Sequence, residues 1–470
     1  MVLVLTMVVL QSISFSNYAL TTKTTNIIYG SAPYLTFDGG RTRITNTEAL
    51  LGISLSDGRR FTPTTNNSSS TNPIVLPVAG QSFNDIGMLV PRDTDSIALS
   101  SLIGTPYNYW GDDDGDGQGV NGVTATGSLR LSIVDKNNQA VAHNEVLTIC
   151  KAPYKLTLSN DGGRLTTRYG VPNESRFTAG NATYYINPKQ TPVICSVKSS
   201  DVDTYRSNPS NAGIWDEHLR GFLPQSVTPS SYGLNFPTTG ANKLYFDLKL
   251  GGISQALSWA TVSHGGITAT MTNSTSTSVR VTLTGPVATR SQWSSLNPGQ
   301  IARPSLPQVF ELVGRDRRGN AVIKYGFELK QWFVVQGFSP DFNSNYGYYY
   351  SNVSSWCNSL GYRLIKVKDY TNVNCGSLVG CQSATPTSPD NVFERHIGAG
   401  LIAEWGYMDD YTDSDFRAVG SYVVYTFWTS DKYELANNHY FVVSWWSRGG
   451  ATVYISDPSS YSRYGICVYP

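Results

Sequence analysis

The placement of six cysteines constrains this 470-residue chain more than any other feature. Cys150 closes the strand-like EVLTIC and Cys195 lies in the strand-like TPVICSV, so this pair is expected to staple one β domain. Cys375 and Cys381 are close enough for a small surface loop. Cys357, in WCNSLGYRL, and Cys467, in the closing GICVYP, are left to tie together the ends of the last 130 residues. Six cysteines allow fifteen connectivities, and the grouping favours this one. No CxxC occurs, so zinc is not indicated and an oxidising compartment is the simpler reading.

The cysteine-closed segment is also chemically distinct. From Asp341 onward it holds 16 of the 29 tyrosines and five of the ten tryptophans. Such rings fill cores, but they also give large contact area at low side-chain entropy cost. The run NYGYYYSNVSSW has no consistent period of two or 3.6, so some of its rings are expected at the surface. A short helix is expected from Ser354 to Leu360, stopped at Gly361, and another from about Asn391 to Trp405 with Asp390 as its cap.

Upstream, short alternating segments separated by turn signals recur from Ile44 to Phe338 with almost no helical periodicity, the pattern of sheet packed on sheet. APYLTFDGGRTRIT from Ala32 and APYKLTLSNDGGRLTT from Ala152 read as the first hairpins of two successive modules, each turning on a DGG. SIVDKNNQAVAHNEVLTI from Ser132 and ELVGRDRRGNAVIKYGFELK from Glu311 each run a strand into a polar turn and back. The expected fold is mostly β: tandem immunoglobulin-like β-sandwiches followed by an α+β domain. The divisions are 32–151, 152–265, 266–340 and 341–470.

A net charge of +1 and the absence of a basic stripe argue against a nucleic-acid partner. Residues 1–15 are apolar and read as the core of a secretory signal spanning 1–19. The missing basic n-region leaves a truncated start or a buried strand as alternatives. In WGDDDGDGQGVNG, Asp112, Asp114 and Asp116 alternate as in the first half of a calcium loop, so a structural calcium ion is a candidate cofactor. Val123 stands where a bidentate glutamate is usual. The five histidines are scattered and no catalytic motif is present, so no enzymatic role is expected.

WCNSLGYRL, FWTSD, HYFVVSWWSRGGATVYI and GICVYP resemble the first helix, central strand and closing strands of bacterial C-type-lectin-like domains. From about Ala152 to Gly337, APYKLTLSNDGGRLTTRYG, NATYYI, AGIWDEHLRGFLPQS and YGFELKQWF are similar to the adhesion domain of enterobacterial surface adhesins of the invasin and intimin kind. This resemblance implies a bacterial cell-surface or outer-membrane adhesin whose lectin-like domain binds a host-cell receptor protein or glycan. Adhesins of that kind carry an outer-membrane β-barrel before the stalk and this sequence shows none, so the anchor is expected to be either lost or supplied by a second partner, an outer-membrane anchoring or export protein. SPDN and WTSD do not supply the ligand set of calcium-dependent sugar binding, which favours recognition through aromatic side chains. The candidate contacts are Tyr348, Tyr349, Tyr350, Trp405, Tyr407, Trp445 and Trp446. The last two are adjacent on a strand and are expected to face opposite ways. The alternative is an exported glycan- or peptidoglycan-binding module without a role in host adhesion.

Overall fold

The computed structural model describes residues 29–115, 122–199, 213–337, 347–373, 394–418, 425–433, 435–436, 438–446 and 450–470. The chain forms two compact units, residues 1–147 with 153–188, and residues 148–152 with 189–470. Both are mostly β. Among the described residues no helix is long and apolar enough to cross a membrane.

In the first unit a five-stranded sheet runs in the order Ile74–Val75, Gly180–Asn187, Tyr154–Asn160, Ser128–Val134 and Ser96–Ala98. A three-stranded sheet of Glu174–Phe177, Gly163–Thr167 and Val123–Thr126 belongs to the same unit. Alternation explains the burial. Tyr154, Leu156 and Leu158 face inward on one strand, as do Ala182, Tyr184 and Ile186 on its antiparallel neighbour.

The second APY segment therefore does not begin a new domain. Its strand Tyr154–Asn160 is central in the first unit and pairs with Ser128–Val134, which places the division expected at 151/152 inside one sheet. Nor is its DGG the tip of a hairpin: Gly162, at φ +90°, takes the chain from one sheet to the other. The first copy does fold back locally, with Leu35 and Ile44 exchanging backbone hydrogen bonds of 2.9 Å. EVLTIC is not a strand. The second repeat is legible at its turns. Asp135 and Asp316 each accept two backbone N–H bonds from the following residues, and Asn138 and Gly319 supply the positive φ.

In the second unit a seven-stranded sheet runs in the order Trp215–Asp216, Gly221–Phe222, Val193–Lys198, Tyr245–Gly251, Ser278–Thr284, Ile267–Thr272 and Val262–His264. It packs on a three-stranded sheet of Ser258–Trp259, Gln308–Arg315 and Ala321–Leu329. Phe246 meets Phe327 edge to face at 5.8 Å, and Phe327 stacks on Phe310 at 5.2 Å. The division expected at 265/266 falls in the Gly265–Gly266 turn of a hairpin and separates nothing. The Cys150–Cys195 disulfide forms as expected, with Cys195 at a bulge where the register shifts between Ile194 and Ser196.

The terminal α+β domain is built onto this sandwich. Strand Gln331–Gln336 leaves the sandwich and becomes an inner strand of a four-stranded sheet ordered Thr239–Ala241, Gln331–Gln336, Gly465–Tyr469 and Arg363–Leu364. The domain thus begins before residue 341. A meander of Tyr425–Lys432, Tyr440–Trp446 and Gly450–Ser456 forms its second sheet. One continuous hydrophobic core runs from Val197 in the sandwich to Val468 in the last strand.

Helix Tyr350–Leu360 ends at Gly361, whose φ of +85° provides the left-handed cap. It starts a turn earlier than Ser354, with Tyr349 as its first flanking residue. The second expected helix is confined to Leu401–Trp405, because residues 394–400 turn on Gly398 and Gly400 at positive φ. Asp390 and Asn391 lie outside the described residues.

Candidate recognition surface

The clasp at the ends of the terminal domain is present. Cys357, in helix Tyr350–Leu360, is bonded to Cys467, whose Cα lies 5.4 Å away in the last strand. Both cysteines are fully buried, and Cys467 pairs in register with Val334 on one side and Leu364 on the other. The helix is thus pinned to an inner strand of the sheet. Cys375 and Cys381 lie outside the described residues.

A polar lock holds the domain to the sandwich. Glu404 is fully enclosed, and its carboxylate accepts hydrogen bonds from the amides of Thr238 (3.0 Å), Thr239 (2.8 Å) and Gly398 (2.8 Å). The hydroxyls of Thr238 and Thr239 add bonds of 2.7 and 2.5 Å. Burial pushes its pKa up, and the donors from Thr239, Gly398 and Thr238 pull it part of the way back. Nearby, buried Arg395 donates to the Glu404 carbonyl at 3.0 Å and stacks over Trp215 at 4.6 Å. Tyr411 donates to the carbonyl of Ser199 at 2.5 Å, while its ring meets Tyr245 of the sandwich at 5.1 Å. Sequence reasoning missed this lock, since an acidic residue in AEWGYMDD reads as solvated. The one available signal was the apolar company of Glu404 in LIAEW.

The aromatic candidates separate into distinct groups. Trp405 is fully buried, donates from its indole to the Thr239 carbonyl at 3.0 Å, and packs on Phe236. It cements the junction with the sandwich and is not a surface contact. Tyr348 is also buried: its amide donates to the Arg463 carbonyl at 2.7 Å, and its own carbonyl accepts from Trp428. Tyr350 is half-buried against Tyr440 in a 3.7 Å stack, and Tyr407 is likewise half-buried. These rings pack into the domain's core beside buried aliphatic side chains such as Val353, Ile365, Ile402 and Ile466. Trp445 and Trp446 lie on the middle strand of the meander, opposite Tyr425 and Gly450. Their side chains lie outside what the structure describes.

Tyr349 remains, 52% exposed. Because Tyr348 pairs antiparallel with Arg463, the segment carrying Tyr349 runs beside the one carrying Tyr461, which is also 52% exposed. Arg463 lies over the Tyr461 ring at 4.9 Å. The turn leading to Tyr461 is pinned by Asp457, which accepts from the Ser459 amide and hydroxyl and from the Ser460 hydroxyl. The Ser460 and Ser459 donors hold that carboxyl down at about 2. Tyr349 and Tyr461 are thus exposed tyrosines on neighbouring segments, a residue type enriched at interfaces, and Arg463 is half-buried beside them. Tyr461 was not anticipated from the sequence, where nothing marks it among 16 similar residues.

The acidic loop is described only in part. Asp114 accepts the Ser31 amide at 2.7 Å, and Asp113 accepts from Arg43 and from the Tyr34 hydroxyl. Among the described residues no three His, Cys, Asp or Glu side chains converge as metal ligands, Asp112 and Asp114 included; Asp116 lies outside them.

No family model matches the chain, and no curated protein matches it. Among solved structures it is similar to intimin in an intimin–Tir90 complex, at 12% identity over 60% of this chain and 99% of that one, with a TM-score of 0.29. A C-terminal 282-residue fragment of intimin in complex with the intimin-binding domain of the translocated intimin receptor gives 11% identity, 75% and 95% coverage, and a TM-score of 0.31. An intimin mutant of EHEC O157:H7 gives 14%, 50% and 89%, and 0.26. Likeness at this level bears on no individual residue.

Proposed function

We propose that this chain is a bacterial cell-surface adhesin whose terminal lectin-like domain binds a receptor protein on a host cell. The observation that supports this reading most is the pair of exposed tyrosines, Tyr349 and Tyr461, on neighbouring segments. They are carried by a domain that a buried disulfide closes internally and the Glu404 lock holds to its sandwich. Recognition gains from such rigidity, because little ordering entropy remains to be lost on binding. Surface-exposed rings on a fixed frame suit binding rather than chemistry. Export to the surface agrees with the two disulfides, which form in an oxidising compartment.

The test is binding of the oxidised full chain to cultured mammalian cells, measured by flow cytometry before and after the cells are treated with protease. Saturable binding that protease abolishes is the expected result. Absence of binding to every cell type tried would reject the adhesin reading, and binding that survives protease would reject a protein receptor.

A further inference from the structure

Two recesses of about 400 and about 350 Å³ lie side by side in the first unit. They share three walls, Phe37, Tyr107 and Tyr109, and so form one groove. The backbone fixes this arrangement. Tyr34 and Leu35 pair antiparallel with Gly111 and Trp110, and the Thr36 amide donates to the Tyr109 carbonyl at 3.1 Å, which brings Phe37 alongside the two tyrosines. The rings of Tyr107 and Tyr109 stand 5.6 Å apart at a tilt of 50°. Phe37, Tyr107, Tyr109 and Trp110 are all half-buried, so each keeps part of its surface free for contact.

The two recesses differ in chemistry. One has an apolar floor of buried Ile86, Met88 and Val90. The other adds Trp110 and is bounded by the first DGG turn, where Gly39, at φ +70°, has nothing within 4 Å of the place a Cβ would take. Among the described residues the Trp110 indole N–H and the Tyr109 hydroxyl have no hydrogen-bond partner, and the Tyr107 hydroxyl has only a long 3.5 Å bond to Asp93. The charged residues of the lining are Arg92 and Asp93, adjacent and opposite in sign. The groove thus offers aromatic walls and hydrogen-bond donors without a net charge.

We propose that this groove binds a proline-rich segment of a partner protein in the polyproline II conformation. Such a helix makes no internal hydrogen bonds, so its carbonyls stay free to accept. Proline has no N–H, so the segment asks for donors and offers almost none in return. Trp110 and Tyr109 supply donors of that kind. Three residues per turn set proline rings along one face of the segment, and aromatic-lined grooves take such rings between their walls. Here the shared wall of Phe37, Tyr107 and Tyr109 divides two recesses that each admit part of that face. A segment of one charge sign finds no excess of the other, because Arg92 and Asp93 cancel. The site uses neither Tyr349 nor Tyr461 and does not depend on the adhesin reading.

The experiment titrates the oxidised full chain into fluorescein-labelled decaproline, follows fluorescence anisotropy, and repeats the titration with a Gly–Ser peptide of equal length. Saturable binding of decaproline, at least about tenfold tighter than that of the Gly–Ser peptide, is the expected result. Trp110→Phe, which keeps a ring and removes the donor, should weaken it about fivefold, and Tyr107→Ala about tenfold. Tyr349→Ala should leave it unchanged. If Tyr107→Ala does not fold, Trp110→Phe alone decides. The proposal is overturned if decaproline does not bind, if the Gly–Ser peptide binds as tightly, if the folded groove variants bind like the parent, or if Tyr349→Ala weakens binding as much as they do. A chain that binds cells but not decaproline loses this proposal and keeps the adhesin reading, and the converse pattern does the reverse.

Discussion

Glu404 and Thr238 stand 166 residues apart in the chain, yet the Thr238 hydroxyl donates to the Glu404 carboxylate at 2.7 Å in a fully enclosed site. A carboxyl can be buried there because both of its oxygens are occupied by donors, which offset part of the lost solvation.

Removing it should be costly. Glu404→Ala would strand the amides of Thr238, Thr239 and Gly398 without an acceptor, and unsatisfied donors at a charged partner cost about 2–4 kcal/mol in sum. Urea unfolding followed by tryptophan fluorescence should show a loss in that range. A loss below about 1 kcal/mol would mean that the lock is ornamental.

The disulfides should contribute by restricting the unfolded chain. Cys357–Cys467 spans 110 residues and Cys150–Cys195 spans 45. Loop-closure entropy gives about 5 and about 4 kcal/mol respectively. Paired alanine substitutions, compared by urea midpoint, should both destabilise, with the terminal clasp costing slightly more.

Asp369 should contribute to acid sensitivity as the most buried of the carboxyls held below their ordinary value. Burial alone would raise this carboxyl, but hydrogen bonds from Arg363, the Lys366 amide and Gln331 hold it below the ordinary value. A depressed native pKa means that the stabilisation is complete above the unfolded value of about 3.9 and is lost as pH falls through the lower native one. Asp369→Asn should therefore flatten the stability profile below about pH 4 relative to the parent. An unchanged slope in that window would contradict the pairing.

A fragment beginning at Asp341 should not fold cooperatively. It omits Gln331–Gln336, which lies between Thr239–Ala241 and Gly465–Tyr469, so the last strand loses the neighbour that sets Val334 opposite Cys467 and Val335 opposite Ile466. A broad, non-cooperative thermal transition by circular dichroism is expected. A sharp one would show that the terminal domain is independent of its sandwich.

Legibility in the sequence followed a physical rule. Features fixed by local covalent or backbone constraints could be read: Gly361 as a helix stop, Asp135 and Asp316 as turn builders, and Cys357 with Cys467 as a closure. Features fixed by long-range packing could not. The strand Tyr154–Asn160 looks like the start of a domain because its APY opening repeats, but its partners across the sheet decide where it belongs. Trp405 and Tyr348 look like recognition residues because aromatics serve both surfaces and cores, and only the enclosing neighbours distinguish the two. Nor could the sequence show that the Ser31 amide, 83 residues away, donates to Asp114.

The most direct measurement is the affinity of the full chain for mammalian cells with and without Tyr349→Ala and Tyr461→Ala together. The double variant should fold with an unchanged melting temperature and bind at least about tenfold more weakly, as expected when interface anchors are truncated. Binding equal to that of the parent would contradict the assignment of recognition to these two tyrosines.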